Sequence, residues 1–213
     1  MAAPANIKKI LPAALLATLL GSSTGHAEVP IRADVIADPT PGRFSVCYNN
    51  TCKELAVIGS SSPQWQSVKA LFQPPPSDAA GERKIIALAV ARMEQLVGPL
   101  TDTAHDKGQN ADPDDGSNEM DCIDESTNTT SYLRLFVHDG LLRWHTVEDR
   151  ATRGWFLFGW PHTTAVIRER ASGVSYAVDS WFLDNGQPPF ILPLDEWRRG
   201  WHPPPSENGA PAH

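Results

Sequence analysis

The sequence predicts an α+β domain in which two helices are followed by antiparallel strands. Its 213 residues suffice for one domain of ordinary size, and 41% hydrophobic with 20% charged residues is typical of a folded chain. Apolar residues recur at helical spacing in the middle of the chain, and short strand-like segments fill the second half. Helices followed by antiparallel strands are the element order of an α+β domain.

Residues 1–27 are predicted to be a secretory signal. Lys8 and Lys9 supply a basic start, and residues 10–20 form an apolar stretch too short to span a bilayer. Small residues at 25 and 27 suit cleavage after Ala27. A core helix is the alternative, but a proline and a Gly-Ser-Ser-Thr-Gly run fit it poorly. We therefore expect an exported protein, periplasmic or extracellular.

Charge and hydropathy restrict the partners. The net charge of −7 and pI of about 5.4 give the chain no general attraction for phosphate backbones, so nucleic acid is disfavoured. No apolar run reaches 18 residues, so we expect no membrane-spanning helix.

Residues 28–80 are predicted to be an N-terminal extension that contains a β-hairpin at 44–58. Cys47 and Cys52 flank its turn-rich centre on opposite arms, within plausible bridging reach. Because an exported chain folds where thiols oxidise, we expect a disulfide between them rather than two unpaired thiols. This pairing leaves Cys122 unbonded.

The first helix is predicted over residues 81–97 and is ended by Gly98-Pro99. Residues 101–117 then form a loop that is rich in acidic side chains: Asp102, Asp106, Asp112, Asp114 and Asp115. Oxygen-rich loops suit calcium, but the spacing does not fit an EF-hand, and a solvated acidic loop is the commoner explanation. We expect that no cofactor is required.

The second helix is predicted over residues 120–139 and ends at Asp139-Gly140. Its middle, residues 126–131, consists of Ser, Thr and Asn, which are weak helix formers. A helix of this composition must be held by its surroundings.

Four strands complete the domain. They are predicted at Leu141–Val147, Trp155–Phe158, His162–Arg170 and Val174–Phe182, with the turn between the last two at residues 171–173. Residues 203–213 are predicted to be a disordered tail.

Cys122 is the candidate nucleophile. A lone thiol in an oxidising compartment is either buried as a small apolar side chain or used chemically. The N–H groups at the start of a helix favour a thiolate and can stabilise an oxyanion. Nearby Asp121, Asp124 and Glu125 would instead raise the thiol pKa, so both outcomes remain open.

His162 and Asp179 are the candidate partners of this thiol. His162 opens a strand, whereas His138 and His145 are expected to be partly exposed surface residues. Asp179 lies between Val178 and Trp181, where a carboxylate is costly unless it is paired. A histidine would pair it.

The register of the two strands decides whether His162 and Asp179 share a face. If they oppose each other, the loop has an even number of residues and Arg168 lies opposite Gly173. The face that carries His162 and Asp179 would then be small enough to admit the Cys122 helix. The opposite face, which carries Ala165, Ile167, Val174, Tyr176 and Val178, would pack a core.

Three segments together resemble the transglutaminase-like superfamily, most closely its bacterial cysteine-proteinase branch. They are Asp121-Cys122-Ile123-Asp124 opening a helix, His162-Thr163-Thr164-Ala165-Val166 opening a strand, and Val178-Asp179 on the next strand. The resemblance covers about residues 83–185. The chain departs from the family pattern at Met120, Ile123, Glu125 and Thr163. These departures leave Cys122, His162 and Asp179 in place.

The resemblance implies a papain-like core over residues 81–202, with the nucleophile-bearing helix packed on an antiparallel sheet. It implies a triad of Cys122 as nucleophile, His162 as general base and Asp179 as orienting residue. The implied function is a thiol-dependent peptidase or amidase acting on a protein or peptide. An inert member that binds a cell-envelope partner through tryptophan-rich surfaces is the alternative, and a structural domain with a buried Cys122 is a third.

Overall fold

The computed structural model describes residues 32–110, 118–154 and 161–204. The predicted signal at 1–27, the predicted strand at 155–158 and residues 205–213 of the predicted tail lie outside these ranges. The helices are α1 Ser62–Lys69, α2 Ala79–Thr101, α3 Cys122–His138 and α4 Leu194–Arg198. The strands are β1 Phe44–Tyr48, β2 Glu54–Ile58, β3 His145–Arg153, β4 His162–Glu169, β5 Ser175–Asp179 and β6 Phe190–Pro193.

The strands form two antiparallel sheets, which confirms the predicted α+β class. One sheet is the β1–β2 hairpin, and the other has the order β3-β4-β5-β6. Each strand of the larger sheet pairs with its neighbour in sequence, so short connections suffice. Across the described ranges, no helix combines the length and apolarity needed to cross a membrane.

The predicted hairpin and its disulfide are confirmed. Phe44 lies opposite Ile58, and the Cys47 and Cys52 sulfurs are bonded across Cα atoms 4.6 Å apart. The segment predicted as an N-terminal extension shares the main core, because Phe44 and Trp65 pack with residues of α2 and α3.

The main core lies between α2, α3, the hairpin and one face of the larger sheet. Its fully buried large side chains include Phe44, Val46, Ile86, Met93, Tyr132, Leu133, Leu135, Phe136 and Ile167. Burying such apolar side chains is the dominant stabilising contribution to the domain.

Helix α2 is longer than predicted and passes through Pro99. Asp78 caps its start by accepting from the Gly81 N–H at 2.7 Å, and Asp102 ends it with a left-handed φ of 57°. A proline in the last turn removes one intrahelical N–H without ending the helix, because the Asp102 N–H still donates to the Gly98 carbonyl.

Helix α3 forms where predicted, and its polar middle is held by its surroundings. Asn128 accepts from the Cys47 N–H at 2.7 Å and donates to the Cys47 carbonyl at 2.8 Å. Thr129 shares a 2.8 Å hydrogen bond with Ser180, and Arg150 donates to Thr127 at 3.0 Å. These bonds satisfy side chains that would otherwise be buried without partners.

The strand predicted at residues 141–147 is displaced, and β3 spans His145–Arg153 instead. The N–H groups of Arg143 and Trp144 donate to the Glu82 carboxylate, so this segment docks on α2 and does not enter the sheet. An irregularity between Glu148 and Ala151 shifts the register. Such a bulge reverses which side chains point to each face, and it turns Arg150 towards α3.

The expected register between β4 and β5 was wrong by two residues. Ala165 lies opposite Val178, and Arg168 lies opposite Ser175 rather than Gly173. A shift of two residues leaves each side chain on its original face, so His162 and Asp179 still share one.

The expected position of the Cys122 helix was also wrong. Helix α3 packs on the face that carries Ala165, Ile167 and Val178, while Trp197 of α4 covers the face of His162 and Asp179. The bulkier face buries more apolar area against the apolar stripe of α3, which favours this arrangement.

Candidate functional site

The site is centred on a direct contact between His162 and Asp179. His162 begins β4 and Asp179 ends β5. The His162 Nε2 and Asp179 Oδ2 atoms lie 2.7 Å apart, and the two residues are 8% and 1% exposed. The observed register places Thr164 across from Asp179, so the contact is a diagonal one within a single face. The sequence predicted this pair.

Trp197 also contacts Asp179, and the sequence did not predict this contact. Its indole N–H donates to the same Asp179 Oδ2 atom at 2.6 Å, and the residue is fully buried. The Arg153 guanidinium lies 4.5 Å from the indole ring centre and bonds the Trp197 carbonyl. Trp197 lies on the short helix α4, directly after β6, and five residues are too few for helical periodicity to mark it in the sequence.

Aromatic rings enclose the His162 imidazole. The ring centres of Trp181, Phe182 and Trp197 lie 4.7, 5.3 and 5.4 Å from that of His162. Trp181 is itself fixed, because its indole N–H donates to the Asn110 carbonyl at 2.8 Å. This enclosure restricts the rotation of the imidazole and strengthens its hydrogen bond to Asp179 by excluding water.

Cys122, the first residue of α3, lies beside the backbone on both sides of His162. Its sulfur is 3.8 Å from the Pro161 carbonyl oxygen, to which it donates, and the Thr163 N–H donates to the sulfur. The residue is a free thiol of intermediate exposure. Within the described ranges, no hydrogen bond joins this sulfur to the His162 ring. The side-chain contact thus joins His162 and Asp179, while Cys122 contacts the backbone on either side of His162.

The Cys122 thiol is protonated at neutral pH. Burial raises its pKa to about 12, and the charges of Asp121, Asp179 and Asp124 act in the same direction. The Thr163 N–H lowers the pKa but does not outweigh them. Of the two outcomes left open by the sequence, the raised pKa favours a protonated thiol over a thiolate.

No protein-family model, curated protein or solved structure matches this chain.

Several buried carboxyl groups lie near Asp179, and the sequence did not predict their burial. Glu125 of α3 is near Glu94 of α2, and burial raises the pKa of both. Burial and the charge of Glu125 raise the pKa of Asp106 to about 10, and Asp106 accepts from the Met120 N–H at 2.6 Å. This bond fixes the segment that leads into Cys122.

His145 was expected at the surface and is instead fully buried against Glu82. Its Nδ1 lies 2.9 Å from Glu82 Oε1, and Arg83 approaches its Nε2 at 3.2 Å. A guanidinium can only donate, so Nε2 accepts and Nδ1–H donates to Glu82. This second histidine–acid pair joins α2 to β3, and the nucleophile candidate lies elsewhere, beside His162.

The calcium prediction stays a prediction, because Asp112, Asp114 and Asp115 lie outside the described residues. Among the residues that are described, the group with three candidate metal ligands in reach of one another is Cys47, Cys52 and Asp124. Its two sulfurs are bonded to each other, so it does not offer the thiolates that a metal would need.

Proposed function

We propose that this protein is an exported, thiol-dependent acyl-transfer enzyme, a cysteine peptidase or amidase that acts on protein or peptide substrates. The proposal includes a papain-like, transglutaminase-like core with Cys122, His162 and Asp179 as its triad. The observation that supports it most strongly is the 2.7 Å contact between His162 Nε2 and Asp179 Oδ2, beside a free thiol at a helix N-terminus.

Asp179 orients the imidazole. When the His162 Nε2–H donates to Asp179, the lone pair on Nδ1 is left to receive a proton. The aromatic enclosure keeps this orientation. His162 is therefore the general base, and Asp179 together with Trp197 fixes its tautomer.

The reaction begins from the neutral thiol. The S–H group of Cys122 donates to the Pro161 carbonyl in this structure and has to turn towards Nδ1 for the reaction to begin. S–H donors form weak hydrogen bonds, so giving up this contact costs little. The thiol proton passes to Nδ1 as the sulfur bonds to the substrate carbonyl carbon, whose oxygen becomes an oxyanion. The C–N bond then breaks, and the amine leaves with the proton from His162.

A thioester on Cys122 is the product of this first half-reaction. His162 next takes a proton from water, whose oxygen attacks the thioester carbonyl. The C–S bond breaks, the acid leaves and the thiol regains its proton. Water is the favoured acceptor because it is abundant.

The Cys122 N–H is the donor that α3 offers to the oxyanion. The Ile123 and Asp124 N–H groups both donate to Asp121 Oδ1, at 2.9 and 3.0 Å, and the Glu125 N–H donates to the Asp121 carbonyl. These groups are thus engaged within the helix cap. A donor on the nucleophile residue itself is well placed for an oxyanion formed at its sulfur.

The second candidate is a catalytically inert binding module of the cell envelope with the same fold. The raised thiol pKa and the sulfur's bond to the Pro161 carbonyl favour it, because both stabilise an unreactive thiol. In that case the partly exposed Trp181 and Trp201 rings, which lie against His162 and Phe182, bind a peptide that is never cleaved.

Digestion of a peptide library by the exported chain tests the choice. Cleavage or deamidation that disappears in Cys122→Ala and His162→Ala, but persists in His145→Ala, supports the enzyme. Peptide binding that is equal in the parent and Cys122→Ala proteins, with no product from either, supports the inert module.

A further inference from the structure

The turn that connects β1 and β2 has an unusual backbone. Asn49, Asn50, Thr51 and Cys52 have φ values of 65°, 59°, 54° and 55°. Left-handed conformations are costly for residues other than glycine, asparagine and aspartate, and a branched side chain such as that of Thr51 fits them poorly. Contacts outside the turn must therefore hold it in this shape.

Those contacts are with the start of the helix that carries Cys122. The Asn49 N–H donates to the Glu119 carbonyl at 3.0 Å, and the Thr51 N–H donates to Asp121 Oδ2 at 2.9 Å. The Cys52 N–H donates to Asp124 Oδ1 at 2.7 Å. Consecutive residues in the same left-handed conformation direct their N–H groups to the same side of the chain. The strained backbone of the turn therefore directs these donors towards the start of α3.

Asp121 and Asp124 are shared between the turn and the helix. Asp121 uses its Oδ1 to cap the N–H groups of Ile123 and Asp124, while its Oδ2 receives the turn. Asp124 accepts from the Asp121 N–H at 3.3 Å through the oxygen that the turn does not use. Cys122 lies between these two carboxyl groups in sequence.

A second point of attachment lies one turn further along α3. Asn128 exchanges two hydrogen bonds with the backbone of Cys47, on the other arm of the disulfide. Both half-cystines therefore contact α3 directly. Cys47 is fully buried and Cys52 is 2% exposed, so the bond is shielded from small reductants.

We propose that the Cys47–Cys52 hairpin is a positioning element of the Cys122 site, in which the disulfide fixes the left-handed turn so that it clamps the first turn of α3. The functional part of this inference rests on the proposed function. The clamp is permanent, because its disulfide is buried. Cys47, Cys52 and Asp124 are thus positioning residues that act through the helix start.

Hydrogen exchange of the full chain tests the clamp in Cys47→Ala/Cys52→Ala, in which Cys122 is the one remaining cysteine. The amides of Ile123, Asp124 and Glu125 should exchange about tenfold faster or more, while amides in residues 86–93 of α2 keep their parent rates. Faster exchange confined to residues 44–58, or spread evenly over the whole chain, would overturn the proposal.

A pair of Asp124 variants gives the same test with the disulfide intact. Asp124→Asn keeps one oxygen, which can accept from the Cys52 N–H, and loses the longer bond from the Asp121 N–H. Its α3 amides should therefore exchange nearly as slowly as in the parent protein. Asp124→Ala removes the acceptor and should accelerate exchange of the same amides about tenfold. Equal exchange in the two variants would overturn the proposal.

The pH dependence of Cys122 alkylation by iodoacetamide adds a readout of position. In the double cysteine variant the midpoint should fall from its raised value towards the ordinary thiol pKa of about 8.5, because the sulfur gains solvent. The clamp would be supported, and the proposed function contradicted, if the double variant accelerates amide exchange at the start of α3 in a protein whose Cys122 is never acylated. The clamp would be contradicted, and the proposed function left standing, if Cys122 is acylated and the double variant changes neither the acylation rate nor the exchange rates.

Discussion

The Trp197 indole N–H and the His162 ring both bond the same oxygen of Asp179. The two distances are 2.6 and 2.7 Å, and the shared carboxylate is 1% exposed. A buried carboxyl group is stabilised by several hydrogen-bond donors, and in the proposed reaction Asp179 holds the imidazole in the tautomer that can accept the thiol proton.

Trp197→Phe should therefore lower the rate of acyl-enzyme formation about tenfold, since a hydrogen bond to a charged group contributes about 1.5 kcal/mol or more. Phenylalanine keeps an aromatic ring beside His162 but is smaller than the indole, so the control has to lose the same volume. The measurement is the rate constant for acylation of Cys122, compared with that of Trp201→Phe. The Trp201 ring packs on Phe182 and Phe190. Equal rates in both variants would show that the indole N–H does not act on the site.

Substitutions in the two histidine–acid pairs should have different effects, on the free energy of unfolding for His145–Glu82 and on Cys122 acylation for His162–Asp179. Glu82 accepts from the N–H groups of Arg143, Trp144 and His145 and from the His145 ring, and it is fully buried. Glu82→Ala should lower the free energy of unfolding by about 3 kcal/mol, because it leaves these donors buried without an acceptor. Denaturant titration measures the loss.

His162→Ala should have the opposite profile, with a smaller loss of stability and loss of Cys122 acylation. A Glu82→Ala protein that is as stable as the parent would show that the α2–β3 junction does not depend on this carboxylate.

The buried acids should make the protein more stable at mildly acidic than at mildly basic pH. Burial raises the pKa of Glu94 from 4.5 to about 8, against a hydrogen bond from the Gly186 N–H, and the Asp106 charge adds to the rise. A group whose pKa is raised by folding contributes stability below its unfolded pKa and loses it as pH passes through the folded value. Glu125, Asp106 and Asp124 have raised pKa values and act with the same sign.

The free energy of unfolding should thus fall between about pH 5 and about pH 8.5, and Glu94→Gln should reduce that fall by more than about 1 kcal/mol. The amide keeps an acceptor for the Gly186 N–H and does not titrate. Glu196→Gln, at an exposed position, is the control and should leave the slope unchanged. A stability that rises over this interval in the parent protein would contradict the neutral state of these acids.

The resting thiol should react slowly with iodoacetamide at neutral pH, and the rate should climb as pH approaches about 12. Asp121 is the first charge that raises this pKa after burial, so Asp121→Asn should move the climb to lower pH. The asparagine oxygen can still cap α3, but its NH₂ group no longer accepts from the Thr51 N–H. A rate that is already at its plateau near pH 7 would show that the thiolate forms before substrate binds, contrary to the general-base route.

The sequence predicted the parts of the site that depend on local rules. Alternation along two strands places His162 and Asp179 on one face, and this survives an error of two residues in the register because the side-chain period is two. Cys122 opens α3 as predicted because an aspartate cap precedes it. The disulfide followed from the short separation of Cys47 and Cys52.

The features that were missed depend on contacts between distant segments. His145 is buried because Glu82, on another element, supplies an acceptor, and a histidine after a glycine turn carries no sign of this. Trp197 reaches Asp179 from a short helix beyond an irregular segment. Helix α3 packs on the side of the sheet that buries more apolar area. Alternation along one strand shows which residues share a face but not which face the helix covers.

Acylation of Cys122 by an activated ester is the direct test of whether His162 activates this thiol. The full chain is mixed with p-nitrophenyl acetate, quenched in acid and mapped by peptide mass spectrometry, in parallel with Cys122→Ala, His162→Ala and His145→Ala. We expect an acetyl group on Cys122, formed about a hundredfold more slowly in His162→Ala and at the parent rate in His145→Ala. A Cys122 that stays unmodified, or one that is acetylated equally fast without His162, would contradict it.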